Sequence, residues 1–295
     1  MKRALKQIYQ LIPFKKDIFS TLKKFWSPKE SVYKHLHFKG VITVPIDKSK
    51  SFKMNHYGFK LENDIFWGGL TRGWEKESLR VWLKLCETSD IILDIGANTG
   101  VYSLLAKATN PQARVYAFEP VARVFNKLQE NIKLNNFDIT TMEKAVSNAD
   151  GTAIIYDTAG DHTYSVTVNK NLNASKTQVV ETKIVTITLN SFIKQNNITK
   201  IDLIKIDVES HEPEVIEGFS EYIAQFKPSI LIEVWNDEIG GKINNLLRGL
   251  DYLYFEIDET TGLRQINKIV KGNTDNFLIC RREIALRNSF LNKLF

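Results

Sequence analysis

The sequence predicts an α/β fold, in which a mostly parallel sheet with an antiparallel last strand carries helices on both faces. Three observations support this prediction. From position 90 onward, short apolar strands alternate with helical stretches, as in parallel sheets covered on both faces. A glycine-containing turn, D-I-G-A-N-T-G, joins the first of these strands to a helix. Two late strands joined by a tight turn would place the last strand antiparallel to its neighbours.

Residues 1–29 are predicted to form a basic amphipathic helical extension. This segment holds eight Lys or Arg and one acid, so its net charge is +7. The whole chain has a net charge of +6, so the remaining residues together carry −1. Lysines interrupt its apolar positions, which excludes a secretory signal. Lysines opposite Phe, Trp, Leu and Ile favour a helix on an anionic membrane surface. The alternative is a helix that packs on its own domain or on a partner. The apolar residues recur at three- and four-residue steps: Leu5, Ile8, Tyr9, Ile12, Ile18, Phe19, Leu22, Phe25 and Trp26.

Three further regions follow along the chain. Residues 30–89 are a lead-in region or cap, residues 90–282 form the main α/β domain, and residues 283–295 are a helical tail. Hydrophobic periodicity divides the main domain into strands and helices. The strands are expected at 91–95, 114–118, 139–146, 201–208 and 229–234, and the helices at 99–108, 121–134, 212–225 and 239–250.

Two β segments outside the alternating pattern complete the predicted fold. Residues 151–156 and 179–189 alternate like antiparallel strands, so the region between them is predicted to be a β-hairpin insertion. Residues 252–257 and 276–280 are expected to close the sheet across a turn at 259–262. Dinucleotide-binding sheets usually end in parallel strands, so this antiparallel ending argues against that class of protein.

Composition narrows the class of protein further. Hydrophobic residues make up 43% of the 295 positions and charged residues 25%, which suits a globular domain. The widely separated Cys86 and Cys280 are predicted to be buried thiols, which suits a reducing cytoplasm. No apolar run approaches the ~18 residues that a membrane span needs. The near-neutral main domain offers no broad basic surface, so no nucleic-acid partner is expected.

The turn after the first predicted strand is the strongest candidate for ligand binding. Gly96 and Gly100 flank it, and their missing side chains would let backbone N–H groups approach a ligand closely. Asp94, at the strand end, would orient the ligand. Glu119 follows at the tip of the second strand, close to the ~20-residue offset at which an acid binds ribose hydroxyls in dinucleotide folds. Asn98 occupies the second glycine's place in the dinucleotide fingerprint G-x-G-x-x-G, which therefore is not met.

A second candidate cluster lies at the end of the fourth predicted strand, in I-K-I-D-V-E-S-H-E. Asp207, Glu209 and His211 would face the crevice outside the carboxyl ends of the strands, where ligands bind in open α/β sheets. Asp207 or His211 is the predicted catalytic base, and Glu209 is a predicted substrate contact. Glu233 and Trp235, at the fifth strand's end, would line an acceptor pocket, although Trp235 suits a core position equally well. The same carboxylates and His211 offer a divalent metal site as an alternative, but no metal is assigned.

Four motifs in this order and spacing resemble the FkbM-type methyltransferase family: D-I-G-A-N-T-G, F-E-P, K-I-D-V-E-S-H-E and P-S-I-L-I-E-V. The resemblance implies a Rossmann-like methyltransferase sheet. It also implies S-adenosylmethionine-dependent O-methylation of hydroxyls on sugars or other natural products. Its cofactor-binding positions correspond to Asp94, Gly96, Asn98, Gly100 and Glu119. The family usually has Gly where this chain has Ser210, and the resemblance assigns no catalytic base.

The predicted function is therefore O-methylation of a sugar, glycan or related metabolite, with S-adenosylmethionine as cofactor. His162 and Tyr164, in the stretch G-D-H-T-Y-S-V-T-V, are further predicted substrate contacts. A cytoplasmic protein is expected, with peripheral contact at the inner membrane face through residues 1–29. Two alternatives remain open: an NAD-dependent sugar oxidoreductase, and a catalytically inactive methyltransferase fold that acts as a binding module at a membrane. The acceptor and the oligomeric state remain open as well.

Overall fold

A computed structural model describes residues 9, 12–158, 167–168 and 179–290 of the chain. The strands are β1 (Gly40–Pro45), β2 (Ser51–His56), β3 (Ile91–Ile95), β4 (Arg114–Phe118), β5 (Ile139–Met142), β6 (Ala145–Val146), β7 (Gly151–Thr158), β8 (Thr167–Val168), β9 (Val179–Ile187), β10 (Leu203–Ile206), β11 (Ser229–Glu233), β12 (Leu253–Asp258), β13 (Gly262–Ile266) and β14 (Asn276–Cys280). The helices are α1 (Lys15–Leu22), α2 (Glu30–Tyr33), α3 (Lys60–Arg72), α4 (Lys76–Cys86), α5 (Val101–Thr109), α6 (Ala122–Asn135), α7 (Leu189–Gln195), α8 (Glu212–Glu217), α9 (Ile223–Phe226), α10 (Asp237–Leu246) and α11 (Arg282–Arg287).

Eight strands form the central sheet, in the order β13-β12-β14-β11-β10-β3-β4-β5. The five strands from β11 to β5 are parallel, whereas β14 runs antiparallel to both β11 and β12. This confirms the predicted Rossmann-like methyltransferase sheet with its antiparallel last strand. One detail of the prediction is wrong. The turn after β12 leads into the additional strand β13, and a further loop brings the chain back to insert β14 between β11 and β12.

Helices cover both faces of the sheet because alternate strand residues point to opposite sides. In β3, Ile92 belongs to one core cluster, together with residues of α4, α5 and α6. Leu93 and Ile95 belong to a second cluster, together with residues of α7, α8 and α10. The carboxyl ends of the parallel strands meet at one edge between these two cores. The predicted ligand-binding turn lies at this edge.

Two predicted elements are divided in the structure. The strand expected at 139–146 is β5 in the central sheet followed by β6, which pairs with β9 in a separate sheet. The helix expected at 212–225 is the two short helices α8 and α9. The first of them ends at Gly218, and glycine is a poor helix former because it loses the most backbone freedom on folding.

The predicted hairpin insertion is confirmed. Strands β7 and β9 pair antiparallel from Gly151 opposite Thr186 to Thr158 opposite Val179. With β6 and β8 they form a four-stranded sheet in the order β6-β9-β7-β8. His162 and Tyr164, the substrate contacts predicted in this insertion, lie outside the described residues.

The N-terminal region packs on the central domain. In α1, the buried Phe19 contacts Phe38 and Trp67, with ring centroids 6.0 and 5.7 Å apart. The neighbouring Phe14 and Phe25 are 76% and 87% exposed. This segment thus rests on its own domain through Phe19 while other apolar side chains face solvent. In the described part of the chain, no helix has the length and apolar character to span a membrane.

Candidate functional site

The turn after β3 is shaped by close contacts within the protein. Gly96 has a φ of +79°, and a Cβ built on it would lie 1.8 Å from the carbonyl oxygen of Asp207. A Cβ on Gly100, with a φ of +94°, would lie 2.5 Å from Leu128 on α6. Both glycines are therefore required because the turn packs against β10 on one side and α6 on the other. The sequence had suggested that they were needed for close approach of a ligand.

Glu119 ties the turn to the end of β4. Its carboxylate accepts backbone N–H groups from Asn98, at 3.0 Å, and from Val121, at 2.9 Å. Burial raises the pKa of Glu119 to about 7 although both hydrogen bonds favour the charged form. Each carboxylate oxygen has a further lone pair, so Glu119 can still accept hydrogen bonds from a ligand.

A cavity at this edge of the sheet brings together six of the twelve predicted site residues. Carboxylates, an amide group, an imidazole, the Lys144 ammonium and several apolar side chains line it, a set that suits a ligand with both hydroxyl groups and apolar parts. The lining includes the predicted residues Gly96, Asn98, Glu119, Asp207, Glu209 and His211.

Asp94 lies behind the turn and does not line this cavity. It is buried, and its carboxylate accepts a hydrogen bond of 2.5 Å from the Ser103 hydroxyl on α5. Burial raises the pKa of Asp94 to about 6. The carboxylate therefore anchors the first turn of α5 to the end of β3.

A buried ion pair lies at the end of β10. Lys205 is only 2% exposed, and its Nζ is 2.9 Å from Asp207 Oδ2. The Asp207 side chain is 28% exposed, so this acid still reaches solvent. No motif assigned a role to Lys205. The available signal was its position, because an unpaired lysine is almost never tolerated inside a buried strand such as I-K-I.

Asp207 and Glu233 form a carboxyl pair that shares one proton. Burial opposes ionisation of Asp207, but the Lys205 ammonium and a hydrogen bond from Glu233 outweigh it and hold the pKa of Asp207 below its usual range. Burial and the Asp207 carboxylate raise the pKa of Glu233 to about 10. At neutral pH, Asp207 is the ionised member of the pair and Glu233 donates a proton to it.

Glu75 and Tyr102 extend this group, which we call the acid cluster (Glu75, Tyr102, Lys205, Asp207 and Glu233). The Tyr102 hydroxyl donates a hydrogen bond of 2.5 Å to Glu75, and Lys205 Nζ lies 4.7 Å from the centroid of the Tyr102 ring. Burial raises the pKa of Glu75 to about 7. No motif indicated Glu75, because it enters from the N-terminal region, far from the other members in sequence.

The start of α4, directly after Glu75, is fixed from the far end of the chain. Glu259, in the turn between β12 and β13, accepts the backbone N–H groups of Glu77 and Ser78 at 2.7 and 3.2 Å. It also accepts the Ser78 hydroxyl at 2.6 Å. A carboxylate here satisfies N–H groups that a helix start leaves without partners.

His211 is engaged away from the acid cluster. Its Nε2 lies 2.9 Å from the Ser147 hydroxyl, and its Nδ1 lies 3.6 Å from Glu214. The loop that leads to it is strained, because Glu209 and Ser210 have φ angles of +54° and +78°. Glycine adopts this left-handed backbone without strain, which agrees with the glycine that the resemblance implies at the position of Ser210.

The two predicted acceptor-pocket residues, Glu233 and Trp235, have different surroundings in the structure. Glu233 joins the acid cluster through Asp207, whereas Trp235 is 47% exposed and lines none of the cavities at this edge. The alternative that Trp235 is a core residue is therefore wrong. Within the described ranges, no three His, Cys, Asp or Glu side chains converge to hold a metal ion.

Comparison with known proteins identifies a family for this fold. Residues 94–254 match the family described as the methyltransferase FkbM domain. This segment contains the turn, Glu119, Lys205, Asp207 and Glu233, and it spans more than half of the chain. The family match gives no support to the alternative of a nicotinamide-dependent oxidoreductase.

Two curated relatives and one solved structure illustrate the similarity. The hexuronic acid methyltransferase AglP of Haloferax volcanii is 24% identical over 162 residues, which cover 54% of this chain and 62% of the relative. The 2-O-methyltransferase NoeI of Sinorhizobium fredii is 28% identical over 158 residues, covering 48% and 63%. The chain thus spans less than two thirds of the length of either relative. The crystal structure of methyltransferase FkbM from Methylobacillus flagellatus KT superposes with a TM-score of 0.43 at 18% identity, covering 65% of this chain and 43% of that one.

Proposed function

Because the chain belongs to the FkbM methyltransferase domain family, we propose that it transfers a methyl group from S-adenosylmethionine to a hydroxyl group of a sugar, glycan or related metabolite. The observation that carries this proposal is the contact between Gly96 and Asp207. It holds the turn against the main chain of Asp207, the residue whose carboxylate is best placed to accept a proton. Cofactor binding and proton removal thus occupy one edge of the sheet.

The cavity residues suit this cofactor. Glu119 would accept hydrogen bonds from the two ribose hydroxyls, since its carboxylate retains free lone pairs. Asp207 and Glu209 place negative charge where a cationic ligand is favoured. When bound, S-adenosylmethionine supplies a sulfonium-activated methyl group.

Asp207 is the proposed proton acceptor for the substrate hydroxyl. Lys205 keeps it ionised, and a carboxylate of low basicity suffices because the hydroxyl proton becomes strongly acidic as the oxygen acquires the methyl group. Glu233, protonated against Asp207, and Lys205 together fix the orientation of this carboxylate. His211 is a less suitable base, since Ser147 already contacts its Nε2.

A hydroxyl-bearing sugar is the proposed acceptor class. Two relatives support it, because one is a hexuronic acid methyltransferase and the other a 2-O-methyltransferase. The chemistry of the acid cluster agrees, since a carboxylate beside the cofactor turn suits removal of a proton from an alcohol.

Calorimetry and turnover together test this function. The full chain is expected to bind S-adenosylmethionine and S-adenosylhomocysteine but not NAD⁺. With a panel of hexoses, uronic acids and their glycosides, release of S-adenosylhomocysteine reports methyl transfer. Asp207→Asn is expected to keep the affinity for S-adenosylhomocysteine, which lacks the sulfonium charge, and to slow turnover by about 100-fold or more. Absence of cofactor binding would refute the proposal and would favour the alternative of an inactive binding module.

A further inference from the structure

A second cleft, of about 390 Å³, lies among the N-terminal elements of the domain. We call it the N-terminal cleft. Its volume falls within the ~300–1,000 Å³ range of small-molecule sites. The residues that shape it come from the loop before α2, from α2 and α3, and from the segment that leads to α4. The lining residues used below are Lys29, Glu30, Lys60, Asp64, Arg72 and Trp74.

The cleft adjoins the acid cluster through Trp74. This residue directly precedes Glu75, and its ring packs edge-on against the Tyr102 ring with centroids 6.0 Å apart. Tyr102 in turn bonds to Glu75 and lies beside Lys205. Trp74 therefore lines the N-terminal cleft and also contacts a member of the acid cluster, so the two features are neighbours in the structure.

Positive charge is in excess within the cleft. Lys60 Nζ lies 3.5 Å from Glu30 and 2.5 Å from Asp64, so one lysine serves both acids. Lys29 and Arg72 have no acidic partner in the described part of the chain. Arg72 only donates a hydrogen bond of 2.9 Å to the Ser27 hydroxyl.

Lys23, which is half-buried near Arg72, adds positive charge beside the cleft. Its ammonium donates to the carbonyl oxygen of Phe66, and burial together with the nearby Arg72 guanidinium lowers its pKa. Two cations that repel each other beside a cleft would both be stabilised by a bound anion. The planar guanidinium of Arg72 can bind a carboxylate or phosphate through two hydrogen bonds.

We propose that the N-terminal cleft binds an anionic sugar, which forms the part of the acceptor distant from the methylated hydroxyl. Trp74 would pack against the C–H face of the sugar ring, and Arg72 and Lys29 would bind its carboxylate or phosphate group. This inference rests on the proposed function. It adds that the acceptor carries a negative charge, and that its part distant from the methylated hydroxyl binds in the N-terminal cleft.

Ligand-observed saturation-transfer NMR on the full chain, with S-adenosylhomocysteine present, tests the inference. The probes are D-glucuronate, D-glucose 6-phosphate, D-glucose and inorganic phosphate. At least one of the two anionic sugars is expected to bind about tenfold more tightly than D-glucose and than inorganic phosphate. Preference for D-glucuronate would assign a uronic acid, and preference for D-glucose 6-phosphate a phosphorylated sugar.

Two variants locate the binding. Arg72→Gln and Lys29→Gln should each reduce the affinity for the preferred anionic sugar toward that for D-glucose. Arg264→Gln, which removes an exposed guanidinium paired with Glu256, should leave it unchanged. Equal binding of D-glucose and both anionic sugars, or an unaffected Arg72→Gln variant, would overturn the inference. Calorimetry with S-adenosylhomocysteine on the same samples separates the two proposals, because failure of cofactor binding would count against the proposed function itself.

Discussion

The α-carbon of Gly96 faces the carbonyl oxygen of Asp207 so closely that a Cβ atom there would lie 1.8 Å from that oxygen. Gly96 follows β3 and Asp207 follows β10, and the two strands are parallel neighbours in the sheet. The proposed ligand-binding turn and the acid cluster are therefore in direct contact through their main chains. A substitution at either residue should therefore alter the position of the other.

Gly96→Ala should damage both folding and cofactor binding. The added methyl group overlaps the Asp207 carbonyl and also strains a φ of +79°, so we expect the free energy of unfolding to fall by about 3 kcal/mol. Chemical denaturation and calorimetry with S-adenosylhomocysteine measure the two effects. The matched control is Gly241→Ala on α10, where a Cβ meets no atom within 4 Å and should stabilise the helix by about 0.5–1 kcal/mol. Equal stability of the two variants would contradict the steric argument.

Ser210→Gly should stabilise the protein. Ser210 has a φ of +78°, which costs a non-glycine residue about 1 kcal/mol or more. Glycine adopts this conformation without that cost, although it gives up some of the gain through the greater freedom of the unfolded chain. We expect a net increase of about 0.5–1 kcal/mol in the free energy of unfolding, measured by denaturant titration. A decrease would mean that the serine side chain makes a stabilising contact that outweighs the strain.

Glu119→Gln should weaken cofactor binding and change its pH dependence. Burial raises the pKa of Glu119 to about 7, so below pH 7 the carboxyl is largely protonated, and binding to its ionised form must release a proton. In the wild type, cofactor affinity is therefore expected to fall as the pH drops below 7. Calorimetry in buffers of different ionisation enthalpy should show this proton release at pH 6 and little at pH 8.5.

The glutamine variant should lose the release assigned to Glu119 and bind about tenfold or more weakly at pH 8. Glu238→Gln on α10 is the control, since its side chain is 75% exposed and does not line the cavity. Identical proton release in the wild type and in Glu119→Gln would show that another group titrates on binding.

Lys205→Met should destabilise the protein most strongly at alkaline pH. Lys205 lowers the pKa of Asp207, so this ion pair contributes stability at pH values above the unfolded pKa of a carboxyl group and loses it on acidification. Removing one partner of a buried pair costs about 3–5 kcal/mol. The variant should thus lose about 3 kcal/mol at pH 8 and less at pH 4, as measured by thermal and denaturant unfolding.

Lys200→Met provides the comparison for Lys205. Lys200 forms exposed ion pairs with Asp90 and Asp202, and its removal should cost less than about 1 kcal/mol. If the two lysine variants had the same stability at pH 8, the acid cluster would not depend on Lys205 for its charge balance.

The N-terminal segment is expected to bind anionic vesicles through its exposed aromatic residues. Phe14 and Phe25 face solvent beside several lysines, whereas Phe19 is buried against the domain. The wild type should therefore sediment with phosphatidylserine vesicles, and the double variant Phe14→Ser, Phe25→Ser should do so several-fold less at unchanged Tm. Leu286→Ser, which alters an exposed apolar residue on α11, is the control. Equal sedimentation of all three proteins would remove membrane contact from the proposals for this chain.

Local patterns predicted much of the fold. The alternation of apolar strands and helical stretches located the five parallel strands, and the turn D-I-G-A-N-T-G located the site edge. The boundaries that differ depend on tertiary contacts. The chain leaves the central sheet after β5, and β6 then pairs with β9 in the separate sheet. No feature within residues 139–146 indicates this change of neighbouring strand.

The sequence predicted only part of the candidate site, because the position of the other residues also depends on tertiary contacts. Asp207, Glu119 and Glu233 follow strand ends, where sequence position alone suggests a role. Glu75 and Tyr102 reach the cluster through packing of α4 and α5 on the sheet, which no spacing in the sequence encodes. Asp94 illustrates the reverse case, because its position resembles that of a ligand contact while its carboxylate is used by Ser103.

The bond between Glu259 and the first turn of α4 also sets an order for biosynthesis. Glu259 is 182 positions later in the chain than Glu77, so a ribosome completes α4 long before it makes the carboxylate that caps this helix. Strand β14, which lies between β11 and β12, is made later still. A nascent chain that already contains every member of the acid cluster therefore still lacks the carboxylate that fixes the start of α4, directly after Glu75. The site should therefore assemble only after Glu259 and β14 have left the ribosome.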